Sequence, residues 1–215
     1  MPDKKTKIKI CGIKDLNTAQ LVQAEGADFI GFVHFKKSPR HIELSNYQEI
    51  AQNLTNIQIV VVTVDPSDEI IADLISHHKP DFLQIHGQVS IKRINEIKQK
   101  FNINIIAALA YDNINQEELV ELENLSDYLL IDSASQKQDK EYGGTGHVFD
   151  WQGLSQFNFS KPYFLSGGLN INNIKEALDL TNCQYLDLSS GVESAKGVKS
   201  HDKIRDLLSY IKAHD

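Results

Sequence analysis

A thiol at Cys11, a carboxyl at Asp132, a guanidinium at Arg40 and two glycine-rich turns are the groups in this sequence with chemistry to offer. The turns are Gly167-Gly168, at the end of YFLSGGL, and Ser189-Ser190-Gly191, within YLDLSSGVE. In each, a short apolar run leads straight into small residues whose backbone amides a ligand can approach closely, and such amides bind anions. One turn alone reads as an ordinary tight connection. Two of them, after consecutive strands near the end of a chain of βα units, suggest a phosphate grip. A phosphate grip beside a thiol, a carboxyl and a guanidinium suits acid/base chemistry on an anionic sugar phosphate.

These groups are far apart in the chain, so the fold has to gather them. Lys7 to Cys11 (KIKIC) alternates strictly, which as a strand puts Ile8 and Ile10 on one face and Lys9 and Cys11 on the other. A helix follows from Asp15, a plausible N-cap, to Gly26, a stop signal. Phe29 to Phe35 reads as a second strand, and Ser45 with Gln48 as a capping box for the helix after it. Ile57 to Val64 is a nearly continuous β-branched run, and Asp65-Pro66 opens a helix with Ile70, Ile71, Leu74 and Ile75 on one side. The cycle repeats with strands at Phe82 to His86 and Ile103 to Leu109, and helices carrying Ile91, Ile94 and Ile97, then Leu119, Val120 and Leu122. Tyr128 to Ile131 is strand six and runs into Asp132 and a long polar, glycine-rich loop, which suits a lid over a site. The two glycine turns end strands seven and eight, and Ile204, Leu207, Leu208 and Ile211 stripe a closing helix.

Eight strand-helix alternations with short connections imply parallel strands, and the count favours an α/β fold closed as a single (β/α)₈ TIM barrel over an open sheet. At 215 residues the chain fits one such barrel of about 200 to 250 residues without remainder, so residues 1–215 read as one domain. Hydrophobic content of 41% with 24% charged residues supports a sizeable core. A formal charge of −7 argues against a general nucleic-acid binder, so local donors have to hold any anionic ligand. The absence of a long apolar segment leads us to expect a cytoplasmic protein with no membrane association. Cys11 and Cys183 form no CxxC pair, which supports neither a disulfide framework nor a thiolate metal site.

In a barrel the C-terminal strand ends converge, making neighbours of Cys11, His34, His86, Asp132, Ser189 and Ser190, with Arg40 nearby. Most of these have an ordinary alternative. A single cysteine is more often a small buried hydrophobe, but the inward Lys9 on the same face favours its thiolate. Asp132 equally suits the cap of a turn, and His86 a hydrogen-bonded structural role. Arg40 is either a solvated charge or a bidentate partner for a ligand carboxylate. Asp187, inward on strand eight, is placed to neutralise Lys9, and Cys183 at the base of that strand is assigned to packing.

Six motifs in order, spanning nearly the whole chain, resemble the phosphoribosylanthranilate isomerase family of tryptophan biosynthesis. They are KICGI from Lys9, GFV and KSPR between Gly31 and Arg40, LQIHG from Leu83, LLID with EYGGTG and FDW between Leu129 and Trp151, LSGGLN from Leu165, and DLSSGVE with GVK between Asp187 and Lys199. The resemblance implies an Amadori rearrangement of N-(5-phospho-β-D-ribosyl)anthranilate without a cofactor or metal. Asp132 becomes the general acid at the ribose ring oxygen, Cys11 the base at C2′, and Arg40 the holder of the anthranilate carboxylate. Gly167, Gly168, Ser189, Ser190 and Gly191 fall to the phosphate end, and Lys9, His86 and Asp187 complete the expected substrate-binding set. Such an enzyme has a small-molecule partner and works as a monomer or homodimer. His34 and the residue before Gly197 depart from the family's pattern, away from the acid and the base.

Two other functions fit the same scaffold. A metal-dependent sugar-phosphate epimerase or aldolase would use His34, His86 and Asp132 as ligands, although no His-x-His pair anchors them. A non-catalytic phosphate-ligand binding barrel would not need to keep both the thiol and the carboxyl.

Overall fold

The computed structural model describes residues 5–87, 90–133 and 150–215. In chain order its elements are β1 (Lys7–Cys11), α1 (Leu16–Ala24), β2 (Phe29–Val33), α2 (Leu44–Ala51), β3 (Gln58–Val64), α3 (Asp68–His77), β4 (Phe82–His86) and α4 (Ile91–Phe101). There follow β5 (Asn104–Ala110), α5 (Gln116–Leu125), β6 (Tyr128–Asp132), β7 (Tyr163–Leu165), α6 (Ile174–Thr181), β8 (Tyr185–Leu188), a small hairpin of β9 (Glu193–Ala195) and β10 (Val198–Lys199), and α7 (His201–His214). Strands β1 to β8 are all parallel and close on themselves, with β1 paired to both β2 and β8. The expected (β/α)₈ barrel is the fold observed.

The strict alternation in β1 explains the closure. Ile8 and Ile10 join the large shell between strands and helices, together with Ile30, Leu83, Ile105, Leu129 and Leu186 from other strands. Lys9 and Cys11 point the other way, into the barrel, where Lys9 is fully buried and its Nζ lies 3.0 Å from Asp187 Oδ1. Below that pair the barrel is filled by Phe29, Val60, Phe82, Ile106, Leu130 and Phe164, with Tyr128 and Tyr185 packed against them. These rings meet largely edge to face, as at 5.1 Å between Phe29 and Phe164 and 5.5 Å between Phe82 and Tyr128. Each such contact adds about 0.5–1.5 kcal/mol beyond its buried area. The floor is therefore a plug, and the described interior opens at the C-terminal strand ends.

Local signals in the sequence place most elements within a residue or two, with instructive exceptions. Asp15 caps α1 by accepting from Thr18 N at 2.8 Å, and Gly26 stops it with φ of 79°. The Ser45 capping box does not form: α2 starts at Leu44 behind Glu43, which makes no side-chain cap bond. Leu44 and Tyr47 are both buried, so packing of the first turn overrides the polar signal. Likewise α3 is capped by Ser67 rather than opened at Asp65-Pro66, because Asp65 N still donates to His86 O and its φ of 43° breaks the chain direction first. Val120, expected on the core face of α5, is 48% exposed, and Leu119 and Leu122, with the partly buried Leu125, make that contact. Between β6 and β7 the described chain holds a 3₁₀ helix, Trp151–Gln156, in place of an α-helix. Residues 134–149, which include most of the expected lid, lie outside the described residues. No helix among the described residues is long and apolar enough to cross a membrane.

Candidate active site

An open cavity sits at the C-terminal rim and gathers the ends of six strands, β1, β2, β3, β4, β6 and β8, with the turn after β7 and the loop after β2. Its polar wall comprises Cys11, Arg40, Gln84, His86, Asp132, Asp187 and Ser189, with Ser38 and Ser166 at its edge. Val33, Val62 and Phe35 pack beside Cys11 and make the apolar side. Cys11 and Asp132, separated by 121 positions in the chain, thus face one space, as the strand-end argument requires.

The electrostatics around Cys11 differ from the expectation that Lys9 makes it a ready thiolate. Burial is the largest influence and pushes the thiol upward. Lys9 pulls it down, but the Asp187 carboxylate that holds Lys9 pushes it up again, Lys199 pulls down further, and the net direction is up. Lys9 itself feels burial first, which lowers it, yet Asp187 and then Cys11 outweigh this and leave it raised and charged. Lys9 does not reach the cavity surface. It lies beneath, as a fixed cation in the wall.

His86, at the end of β4, is close to Gln84, with Nε2 atoms 2.6 Å apart, and burial with help from Lys9 depresses it to about 4. Near neutral pH it is an uncharged imidazole on the cavity wall. Asp132 ends β6 beside Ser133, whose Oγ donates weakly at 3.5 Å to Oδ1. The burial of Asp132 beneath the following loop, inferred from sequence, falls outside the described residues.

Arg40 is not a solvated charge. It is 4% exposed, and its Nε and Nη2 donate to the two carboxylate oxygens of Glu193 at 2.7 and 2.9 Å. One edge of the guanidinium is thereby fixed while the residue still lines the cavity. Ser189 Oγ donates to Cys11 O at 3.1 Å and stitches β8 to β1 at the rim. After β7, Gly167 and Gly168 take φ of 91° and 66°, conformations few side chains tolerate. A Cβ on Gly191 would lie 1.9 Å from Leu169 O, so the two expected phosphate turns are packed directly against each other. Ser190 and Gly191 begin a 3₁₀ turn, Ser190–Val192.

His34 does not join them. Its Nδ1 is 3.1 Å from Ile42 O, its ring packs on His41, and it lines a separate cleft with Lys36, Glu43 and His77. The ligand set of the metal-dependent alternative is therefore split, and among the described residues no group of three His, Cys, Asp or Glu is placed to hold a metal. Three residues without an assigned role in the sequence reading belong to the site: Gln84, Glu193 and Lys199. Gln84 was legible from its inward register between Phe82 and His86. Glu193 and Lys199 were present only as letters in a motif, and charges flanking a glycine look solvated.

Comparison with known proteins agrees with this geometry. The family model for N-(5′phosphoribosyl)anthranilate (PRA) isomerase matches residues 8–210. The N-(5′-phosphoribosyl)anthranilate isomerase of Nitrobacter winogradskyi is 37% identical over 208 residues, covering 96% of this chain and 92% of that one. Among solved structures, the phosphoribosyl anthranilate isomerase of Thermus thermophilus superposes with a TM-score of 0.84 at 27% identity, over 97% of this chain and 100% of that one. A phosphoribosyl anthranilate isomerase in complex with reduced 1-(o-carboxyphenylamino)-1-deoxyribulose 5-phosphate gives 0.78 at 29% identity, over 97% and 99% of the two chains.

Proposed function

Because the chain belongs to the phosphoribosylanthranilate isomerase family, we propose that Asp132 and Cys11 are the acid and base of that family's reaction. The chain is an isomerase of tryptophan biosynthesis that converts N-(5-phospho-β-D-ribosyl)anthranilate to 1-(2-carboxyphenylamino)-1-deoxy-D-ribulose 5-phosphate. The observation that carries the residue assignment is the shared cavity wall, which has a carboxyl, a thiol and a guanidinium facing one space beside two small-residue turns.

In this reading Asp132 gives its proton to the ribose ring oxygen as the C1′–O bond breaks, and the anthranilate nitrogen lone pair forms the C=N bond of a protonated Schiff base. Cys11 as thiolate then takes the proton from C2′. The electrons of that C–H bond form C1′=C2′, and those of the C=N bond return to nitrogen, giving an enolamine. The C2′ hydroxyl loses its proton, C1′ gains one, and a ketone results with no net change of atoms. A raised thiol makes a scarcer but stronger base, and the cationic Schiff base formed beside it favours its ionisation when it is needed. Arg40 holds the anthranilate carboxylate. Gly167, Gly168, Ser189, Ser190 and Gly191 hold the phosphate, and neutral His86 with Asp187 contacts the sugar between them. Every residue in this list comes from one chain, so residues 1–215 act as one catalytic domain, monomer or homodimer alike, and we place the enzyme in the cytoplasm.

Each step needs only proton transfers among these groups, so turnover should persist under exhaustive chelation. The assay is loss of phosphoribosylanthranilate fluorescence with EDTA present. Absence of turnover, or turnover abolished by the chelator and restored only by zinc or manganese, would reject the assignment.

A further inference from the structure

The hairpin β9–β10 takes no part in the steps above, yet it contributes two buried charges to the floor of the rim. Glu193 is 7% exposed, and the side chain of Lys199 is 3% exposed. Four donors fill the Glu193 carboxylate. Oε1 accepts from Arg40 Nε at 2.7 Å and Lys199 Nζ at 2.9 Å, and Oε2 accepts from Arg40 Nη2 at 2.9 Å and the backbone N of Gly197 at 3.0 Å. Lys199 Nζ also donates to Ser189 O at 2.9 Å and Oγ at 3.2 Å. The turn of the hairpin lies directly on the loop that carries Arg40, since a Cβ on Gly197 would come within 2.6 Å of Pro39 O.

Two features follow from these contacts. The first is mechanical: a continuous chain of hydrogen bonds runs from Arg40 through Glu193 and Lys199 to Ser189, and from Ser189 to the Cys11 carbonyl. The second is electrical. Two cations share one carboxylate, so the cluster keeps one unit of positive charge inside low-dielectric surroundings, where an uncompensated charge is costly. An anionic group of the ligand arriving at the cavity side of Arg40 relieves that cost.

We infer that Glu193 is a positioning residue: it fixes one edge of the Arg40 guanidinium so that the other presents to the carboxylate of the substrate, and through Lys199 it ties that end of the site to the Ser189 turn. The inference rests on the reading of Arg40 as the carboxylate holder. Neutral Glu193 analogues keep the shape but release the fork, so the affinity of the carboxylate-bearing substrate falls while the acid and base stay in place.

The test is a double-mutant cycle in the full chain, with Arg40→Ala, Glu193→Gln and both together, reading kcat and KM for phosphoribosylanthranilate and inhibition by ribose 5-phosphate, which lacks the carboxylate. Glu193→Gln should raise KM about 10-fold to 100-fold with kcat within about threefold, the scale of hydrogen bonds to a charged group. Inhibition by ribose 5-phosphate should change less than about twofold, because Lys199 keeps its own bonds to Ser189 O and Oγ, and in the Arg40→Ala background Glu193→Gln should add less than about twofold, because the interaction it alters is gone. Full additivity, or equal loss with both ligands, overturns the inference. If Arg40→Ala lowers affinity and Glu193→Gln does not, the inference alone fails. If Arg40→Ala leaves KM unchanged, the carboxylate reading fails first and the inference with it. Should Glu193→Gln melt below the assay temperature, Glu193→Asp keeps the charge and shortens the reach, and a KM rise of about threefold or more that vanishes without Arg40 is required of it.

Discussion

The lower interior of the barrel and its rim are made by the same strands, a few residues apart, and behave as different materials. On β4, Phe82 belongs to the aromatic floor and His86 to the cavity. On β6 the same step separates Tyr128 from Asp132, and on β8 it separates Tyr185 from Ser189. Four residues along a strand return to the same face about 13 Å higher. Alternation therefore decides that a side chain points inward, and height decides whether it meets a ring or a reacting atom. The floor excludes water and supports Lys9 and Asp187 from below, and the rim spends its residues on polar groups that only the closed barrel brings together.

That contrast predicts separable losses. The largest belongs to the rim: Cys11→Ser and Asp132→Asn should each lower kcat by about 10²-fold to 10⁴-fold or more, while thermal melting stays near that of the parent. A kcat within a few-fold of the parent would remove the residue from the mechanism, and a large drop in melting temperature would erase the division between rim and floor. Next comes the floor, where Phe164 is fully buried among other rings. Phe164→Ala should cost about 3–5 kcal/mol in denaturant unfolding yet retain kcat at a temperature where the variant is folded. Loss of kcat in the folded variant would show that the plug also sets the geometry above it.

The smallest effect concerns a group at the boundary. Thiolate grows as pH rises, so alkylation of Cys11 by iodoacetamide, followed by peptide mass spectrometry, should have a midpoint above that of an ordinary thiol, because burial outweighs Lys9. Lys199 is a cation that favours the thiolate, so Lys199→Met should move that midpoint to still higher pH. A parent midpoint below the ordinary thiol value would reverse the electrostatic account. An unmoved midpoint in the variant would detach Lys199 from Cys11.

What the sequence made legible follows the same boundary. Short apolar runs set between helix-period segments and turn residues located all eight barrel strands, and the inward placement of Lys9 and Cys11 followed from the strict alternation of KIKIC alone. The step from burial to chemistry was harder. The influence of Lys9 on Cys11 was read with the right sign, but Asp187 and burial reverse the net result, and burial depends on every strand at once. Asp187 was correctly paired with Lys9 because both lie on facing inward positions. Arg40 and Glu193 are 153 positions apart, and the hairpin that carries Glu193 has strands of only three and two residues, too short for any periodicity to register. The caps of α2 and α3 were misplaced because burial of Leu44 and the left-handed Asp65 are tertiary facts.

Closure of the sheet by β1 against β8 has a kinetic side. Lys9 meets Asp187 and Ser189 meets the Cys11 carbonyl across 178 positions each, and loops of that length close late because their ends must find each other before any contact rewards the search. No partial barrel that lacks its last strand contains the site. In refolding from denaturant, helical circular dichroism should return first and turnover last, so catalytic activity serves as a clock for the moment at which the two ends of the chain lock together.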